Sequence, residues 1–188
     1  MASTIHYNTC PICTSPSIGK LYVAIDYTVS GELFEVWRCN SCSGGFTQDV
    51  PDASTIGPYY AAESYVSHTD SRKGVINSVY HKVRSCALLT KKNLVTKLVG
   101  KKTGAILDIG AGTGAFAHTM LTAGWQVTGL EPDATAAKQA LLKYNIQLAA
   151  ADTIYTLEHH QFDAITMWHV LEHVHDLHGY FKRFFEIL

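Results

Sequence analysis

Four of the five cysteines form two C-x-x-C pairs, Cys10 with Cys13 and Cys39 with Cys42. Each short turn of this type can direct two sulfurs at one point, and four thiolates at tetrahedral angles are a common zinc site. The alternatives are four free thiols or disulfides, and a reducing compartment disfavours disulfides. Four thiolates leave no position on the metal for water, so the spacing predicts a structural zinc ion.

The residues between the two cysteine pairs predict the element that would position them. Apolar side chains recur at every second position from 21 to 27, a Ser-Gly turn follows, and a return strand is expected from 33 to 37. A hairpin between two cysteine turns is typical of a zinc ribbon. Residues 1–57 carry five acidic and two basic side chains, a balance that disfavours nucleic acid as a partner.

A second chemical pattern is the glycine turn formed by Gly110, Gly112 and Gly114, which follows a short apolar run containing Asp108. Glycines remove Cβ atoms, so a ligand can lie against the backbone. The helix expected after the turn adds free N–H groups and a partial positive charge. The pattern predicts a site for a nucleotide-type ligand at the carboxyl edge of a parallel sheet.

The glycine turn by itself is compatible with two classes of ligand, a dinucleotide and a ligand that carries an ammonium and a carboxylate. Gly110, Gly112 and Ala115 satisfy the dinucleotide fingerprint, and Glu131 lies near the expected ribose position. Asp108 argues against a dinucleotide, because a pyrophosphate gains nothing from a nearby carboxylate. Gly114 suits a ligand whose ammonium and carboxylate pack over the turn.

With Val170-Leu171-Glu172-His173 after the fourth predicted strand, residues 104–188 resemble the class I S-adenosylmethionine-dependent methyltransferases. The resemblance implies a glycine turn on the methionine part of the cofactor, one acid on its ammonium, one on the ribose and one on the adenine amino group. The cofactor-binding residues it implies, in chain order, are Asp108, Gly110, Ala111, Gly112, Gly114, Glu131, Pro132, Asp133, Asp152, and the backbone of Trp168 and His169.

His169 opens the sequence H-x-x-E-H, which is a metal motif in some proteases. That motif needs both histidines on one face of a helix, whereas His169 is expected to end a strand, so the metal interpretation is disfavoured. His169 is the candidate catalytic residue, a general base near the transferred methyl group, because imidazole titrates near neutral pH. A histidine with a packing role is the alternative.

The segment between the two motif regions predicts a linker, a lid and a helix. Tyr60 and Tyr65 follow a stretch rich in proline and glycine, and the resemblance makes them candidates for a lid over the cofactor, with packing as the alternative. Residues 71–102 carry nine Lys or Arg and no acid, which is consistent with a solvated face or with attraction of an anionic substrate. Val75, Val79, Val83 and Cys86 recur at helical spacing, which predicts an apolar stripe with a buried thiol.

Strands and helices alternate from residue 104 onward, which predicts an α/β fold with a Rossmann-like, doubly wound parallel sheet. Strands are expected at 105–110, 126–130, 146–151 and 162–168, and helices at 115–123, 134–144, 154–159 and from 177. The resembled family has seven strands, so the sheet is expected to be truncated, with its fourth strand an open edge that a homodimer partner or a helix covers. The expected domains are 1–50, a zinc ribbon; 51–103, a linker and helical lid; and 104–188, a partial methyltransferase domain.

The resemblance implies an enzyme that transfers a methyl group from S-adenosylmethionine to a small-molecule acceptor, such as a sugar or a carrier-linked substrate. The alternatives are a non-catalytic cofactor-binding or scaffold module and an NAD-binding oxidoreductase. A net charge of −1 gives no drive toward nucleic acid or a membrane surface. No apolar run has the length of a membrane span and no signal core opens the chain, so the expected location is the cytoplasm.

Overall fold

The computed structural model describes residues 3–60 and 75–188, with side chains described in 3–59 and 82–188. It divides into two compact units, residues 1–67 with 174–182 and residues 68–173 with 183–188. No helix in these described ranges has the length and apolar composition that a membrane span needs.

The first unit contains two small antiparallel sheets. Strands β2 (Ile18–Ile25), β3 (Leu33–Cys39) and β4 (Gly45–Thr47) form one, and β1 (Thr4–Ile5) pairs with β5 (Val50–Pro51) in the other. The predicted hairpin is confirmed as the β2–β3 pair. Its turn is closed by Asp26, whose carboxylate accepts the N–H groups of Thr28, Val29 and Ser30.

The apolar alternation of the hairpin does not produce a buried face. Leu21, Val23 and Ile25 are all exposed, and so is Tyr22, which points to the opposite face of β2. The reason is that the described part of this unit buries little besides the cysteine turns and Phe46. The alternation therefore identified the strand correctly but not a core.

The second unit is built on a three-stranded parallel sheet in the order β7-β6-β8, with β6 at Ala105–Ile109, β7 at Gln126–Leu130 and β8 at Ala164–Met167. Helices α2 (Ala115–Thr122) and α3 (Ala134–Tyr144) follow β6 and β7. Helix α1 (Val75–Val99) precedes the sheet, and α4 (Leu177–Ile187) follows it in the chain, with its first residues in the first unit and its last in the second. The predicted parallel α/β fold with a small N-terminal β module is thus confirmed.

The core of the second unit lies between the sheet and the helices α1 and α2. Ile106 and Met120 are completely buried there, together with Val95, Phe116 and Trp125. Burying a side chain of this size contributes about 1.5–3 kcal/mol relative to leaving it in water. This core fixes β6, and with it the glycine turn that follows.

The predicted third strand at 146–151 is wrong in extent, because only a single parallel bridge joins Leu130 to Ala149. Ile146 still takes part in the C-terminal cap of α3, since its N–H group bonds the carbonyl of Ala140 after the left-handed residue Asn145. A 3-10 helix then begins at Ala151, so too few residues remain for a strand.

The apolar stripe predicted along residues 75–86 is also wrong where the structure describes it, because Val83 and Cys86 are both exposed. The face of α1 that packs on the core instead carries Leu88, Val95 and Val99. In the part of this helix whose side chains the structure describes, the residues that pack on the core begin at Leu88, so this packing face is set by residues beyond the predicted stripe.

The buried residues of α4 are Arg183 and Ile187, so a charged side chain lies on its buried face. The guanidinium of Arg183 donates to the carbonyls of Ile154 and Leu157 and pairs with Glu186, with 2.6 Å between Nη1 and Oε2. An arginine can be buried when its donors are satisfied in this way. Asp176 caps the start of the helix, because its carboxylate accepts the N–H of Gly179 at 3.0 Å.

Candidate functional site

The first candidate site is the cysteine cluster of the first unit. The Sγ atoms of Cys10, Cys13, Cys39 and Cys42 all lie within 4.8 Å of one another, and the Cys10–Cys42 and Cys13–Cys39 Sγ distances are both 3.7 Å. Four sulfurs at about 2.3 Å from one zinc ion lie about 3.8 Å apart, so the donor set fits a tetrahedral site. A disulfide requires about 2.05 Å between sulfurs, and all four thiols are free.

Backbone N–H groups of the cysteine turns point at two of these sulfurs. The N–H group of Ile12 is directed at Cys10 Sγ at 3.4 Å, and that of Ser41 at Cys39 Sγ at 3.3 Å. The backbone N–H groups of Cys42 and Ser41 lower the pKa of the Cys39 thiol, which favours the thiolate that zinc requires.

The second candidate site is the glycine turn between β6 and α2. Gly110, Gly112 and Gly114 all have positive φ, at 69°, 56° and 76°. A Cβ at Gly110 would lie 2.3 Å from a methyl of Val170, and one at Gly114 would lie 2.9 Å from the Cβ of Ala140, whereas one at Gly112 would meet nothing within 4 Å. The outer two glycines thus accommodate protein neighbours, and the central one faces open space where a ligand can fit.

Glu131, directly after β7, is attached to this turn by its carboxylate. Its Oε2 accepts the N–H of Gly112 at 2.6 Å and its Oε1 accepts the N–H of Asp133 at 2.9 Å. Each carboxylate oxygen can accept a second hydrogen bond, so both oxygens remain able to bind hydroxyl groups. The geometry is compatible with the predicted ribose contact, which stays a prediction.

Asp108 is the buried acid of the site, with 2% of its surface exposed. The Thr166 hydroxyl, directly opposite in β8, donates to Asp108 Oδ1 at 2.8 Å. Burial raises the pKa of Asp108 to about 7, against the opposing effects of Thr166 and of the positive charge of Lys91. A cation bound beside Asp108 would restore its negative charge.

Lys91, which interacts electrostatically with Asp108, contacts an aromatic cluster near the same edge of the sheet. The Lys91 ammonium sits 4.4 Å from the centre of the Trp168 ring, and Trp168 packs edge-on against Phe116 with 5.4 Å between ring centres. Burial lowers the pKa of Lys91, and the charge of Asp108 partly opposes that effect. The ring of Trp168 thus takes part in contacts near the site, in addition to the predicted role of its backbone.

The residues assigned to the adenine end lie on exposed turns at the same edge of the sheet. Pro132, Asp133 and Asp152 are all exposed, and the N–H of Glu131 bonds the carbonyl of Ala149 at 2.9 Å, which brings their two segments together. Asp133 has a structural role as well, because its carboxylate caps α3 by accepting the N–H of Thr135 at 2.7 Å. Their contacts with a cofactor remain predictions.

His169 has a left-handed backbone, with φ of 60°, and an exposed side chain whose Nδ1 lies 3.8 Å from Glu172 Oε1. The residues after it form a 3-10 helix, Leu171–His173, so the two histidines of H-x-x-E-H do not share an α-helical face. Its role as a general base stays a prediction. Of the lid candidates, the Tyr60 side chain and all of Tyr65 lie outside the described residues.

Sequence reasoning missed three residues that shape this site. Thr166 and Lys91 both act on Asp108, and Arg183 holds the carbonyls of the segment that begins near Asp152. Thr166 carried a weak signal for a functional role, because it is a polar residue inside an otherwise apolar strand. No sequence signal separates Lys91 from the eight other basic residues around it.

Comparison with known proteins identifies the family of the chain. A family model described as a methyltransferase domain matches residues 80–188. The ubiquinone biosynthesis O-methyltransferase of Nitrosospira multiformis is 32% identical over 87 residues, which are 43% of this chain and 35% of that protein. The chain thus spans about a third of the length of that curated relative.

Two solved structures are similar at low identity. A Methanococcus maripaludis protein assigned to the S-adenosyl-L-methionine-dependent methyltransferases has 18% identity and a TM-score of 0.47, over 64% of this chain and 63% of that one. An Archaeoglobus fulgidus methyltransferase of the same cofactor dependence has 19% identity and a TM-score of 0.42, over 54% and 48%. Since the family model covers more than half of the chain, the protein belongs to the methyltransferase domain family, and its likeness to the class I S-adenosylmethionine-dependent enzymes is confirmed.

Proposed function

We propose that this chain is the cofactor-binding part of an enzyme that transfers a methyl group from S-adenosylmethionine to a small molecule. The observation that carries the proposal is the meeting of Asp108, Glu131 and the open side of Gly112 at one edge of the sheet. The buried acid suits an ammonium group, the half-buried acid suits two hydroxyls, and the bare glycine leaves room for the chain between them.

The chain's own residues would act by binding and alignment. When bound, the cofactor supplies an activated methyl group on a sulfonium, which is already a good leaving group. The glycine turn and the two acids would fix both ends of the cofactor, so that the methyl points at the acceptor, and such alignment is a large part of catalysis. His169 would take a proton from an acceptor hydroxyl at its exposed imidazole.

The acceptor class is the finer part of the proposal. The curated relative is named as an O-methyltransferase of ubiquinone biosynthesis, which favours an oxygen acceptor for this chain too. Sugars and carrier-linked molecules remain the substrates we propose. A non-catalytic cofactor-binding module is the second candidate, and the exposure of His169, with 85% of its side chain accessible, favours it.

We further propose that the cysteine cluster holds one structural zinc ion in the cytoplasm, where thiols stay reduced. Metal analysis of freshly purified protein should find about one equivalent of zinc. A content below about half an equivalent, with the thiols still titratable, would contradict the proposal.

The outer strand β8 is an edge of the sheet in the described residues. We propose that a second copy of the chain covers it, since an open edge readily pairs with another chain. Light scattering should then give twice the mass of one chain, and a monomer at all concentrations would exclude the dimer.

The first test of the cofactor is calorimetric titration of S-adenosylhomocysteine, with NAD as the control ligand. We expect saturable binding of the first alone. Asp152→Ala should weaken that binding about tenfold, the effect of losing one hydrogen bond to a charged group. Glu158→Ala is the matched control, because Glu158 is an exposed acid beyond the same 3-10 helix. Equal affinities of the two variants would show that the adenine assignment is wrong.

A further inference from the structure

Lys91 occupies an unusual position for a lysine. It lies on the face of α1 that packs against the core, between Leu88 and Val95, and is half-buried. Lysine is rarely taken out of water unless its charge has a partner. Other basic residues of the same helix, such as Lys97, are exposed. The basic composition of residues 71–102 therefore does not by itself explain why Lys91 is half-buried.

The neighbours of the Lys91 ammonium lie at the ligand edge of the sheet. Trp168 directly follows β8, and Asp108 is the fourth residue of β6, so both lie near the carboxyl ends of adjacent strands. The ammonium lies over the Trp168 ring at 4.4 Å and interacts electrostatically with Asp108. Among the described residues, no carboxylate pairs with it within the 4.0 Å of an ion pair.

The Trp168 ring and the Asp108 carboxylate compensate the charge of Lys91 only in part. A cation over an aromatic ring gains less stabilisation than a direct contact with a carboxylate can provide when both groups are desolvated. Asp108 is similarly only partly compensated, because its hydrogen-bond donor in the described part of the chain is the neutral Thr166 hydroxyl. Within the described residues, Lys91 and Asp108 thus interact electrostatically without forming an ion pair, so neither charge is fully compensated.

We propose that Lys91 is a specificity residue of the cofactor site, contacting the α-carboxylate of the bound cofactor while Asp108 faces its α-ammonium. An amino-acid group carries one charge of each sign, and Lys91 with Asp108 is its electrostatic complement. The inference rests on the proposed function, because it concerns the methionine end of the same ligand. Trp168 acts as a positioning residue, since its ring holds the ammonium at the edge of the sheet.

A purely structural Lys91 would predict something different. If its charge only supports Asp108 or the packing of α1, then removing it should change stability, or change the affinity of every ligand by the same factor. If it contacts the carboxylate, the loss should depend on the presence of that carboxylate in the ligand. The test therefore varies the protein and the ligand together.

The protein variants are Lys91→Met, which keeps the aliphatic stem but removes the charge, and Lys97→Met on the exposed side of the same helix as the control. The ligands are S-adenosylhomocysteine, its carboxamide, in which the carboxylate is neutral, and 5′-methylthioadenosine, which lacks the amino-acid group. Calorimetry on the full chain gives each dissociation constant, and Lys91→Arg tests whether another cation restores the preference.

We expect Lys91→Met to weaken S-adenosylhomocysteine about 10- to 100-fold and to change the other two ligands less than about threefold. Lys91→Arg should keep most of the preference for the carboxylate, and Lys97→Met all of it. Equal losses for all three ligands, or no loss, would overturn the role of Lys91 while leaving the proposed function standing. Failure of the unaltered chain to bind S-adenosylhomocysteine would instead overturn both.

Discussion

The two units of this protein bury very different side chains. In the first unit the buried side chains include Cys10, Cys39 and Phe46, while large apolar residues of the hairpin such as Leu33 lie exposed. In the second unit a continuous apolar cluster is buried around Ile106 and Met120. One unit is organised around four sulfurs and the other around an apolar core, so the two should respond to different perturbations.

The difference also explains where chemistry can be placed. A small unit without a sufficient core needs another source of stability, and a metal that binds only the folded form supplies it. A unit with a large core can instead tolerate a buried acid with a raised pKa and a half-buried lysine, as at Asp108 and Lys91. Strained or desolvated groups of this kind are typical of functional sites.

The largest expected effect is the selective unfolding of the first unit when its metal site is lost. Chelation of zinc, or Cys39→Ser, should unfold the first unit and leave the second folded, because the metal binding energy is the folding energy of such a unit. Hydrogen exchange should show lost protection in β2 and β3 and unchanged protection in β6 and β7. Cys86→Ser, at the exposed thiol of α1, is the control and should change nothing. Protection of the hairpin without metal would contradict this division.

The second prediction concerns a substitution in the apolar core of the second unit. Ile106→Ala removes a completely buried side chain and should lower the free energy of unfolding of the second unit by about 2–5 kcal/mol, without reducing zinc content. Leu98→Ala, at a side chain with 76% exposure on α1, should change it by less than about 0.5 kcal/mol. Denaturant unfolding with separate probes of each unit measures both. A matching loss of zinc would show that the units are not independent.

A third prediction concerns the buried acid, whose pKa of about 7 lies above the ordinary value. Between about pH 4 and 7 the folded state holds a proton that the unfolded state has lost, so stability falls as pH rises through this range. Lys91, Glu131 and Thr166 are the groups acting on Asp108. Asp108→Asn should remove this slope and gain up to about 4 kcal/mol relative to the unaltered chain at pH 8. Parallel pH curves for the two proteins would contradict it.

The smallest predicted effect concerns Asp163, whose contribution to stability changes with pH in the opposite direction to that of Asp108. Lys101 and the N–H of Ala105 lower the pKa of Asp163, so its contribution to stability is present at neutral pH and is lost as the pH falls through that lowered value. Asp163→Asn should therefore destabilise the second unit slightly at pH 7 and less at about pH 3. Urea unfolding at both values measures the change. An equal loss at the two pH values would show that the ion pair plays no part.

The sequence by itself determined the elements whose signals are local. The bounds of β7 and α3 agree with the expectation, because a buried strand and a capped amphipathic helix each carry their own pattern. The cysteine pairs and the glycine turn were equally clear, since each depends on residues only a few positions apart. The family follows from the same local motifs read in combination.

Only the tertiary structure decided which residues of a regular pattern face the core. The valine spacing of α1 predicted one face, but contact with the sheet selects Leu88, Val95 and Val99, and this choice also brings Lys91 to the site. Likewise, the strand predicted at 146–151 shrinks to one bridge, because Ile146 still takes part in the cap of α3 and a 3-10 helix begins at Ala151. A short stretch of sequence sets the period of an element, whereas burial depends on partners distant in the chain, such as Asp108 and Thr166, which meet only when β6 and β8 pair.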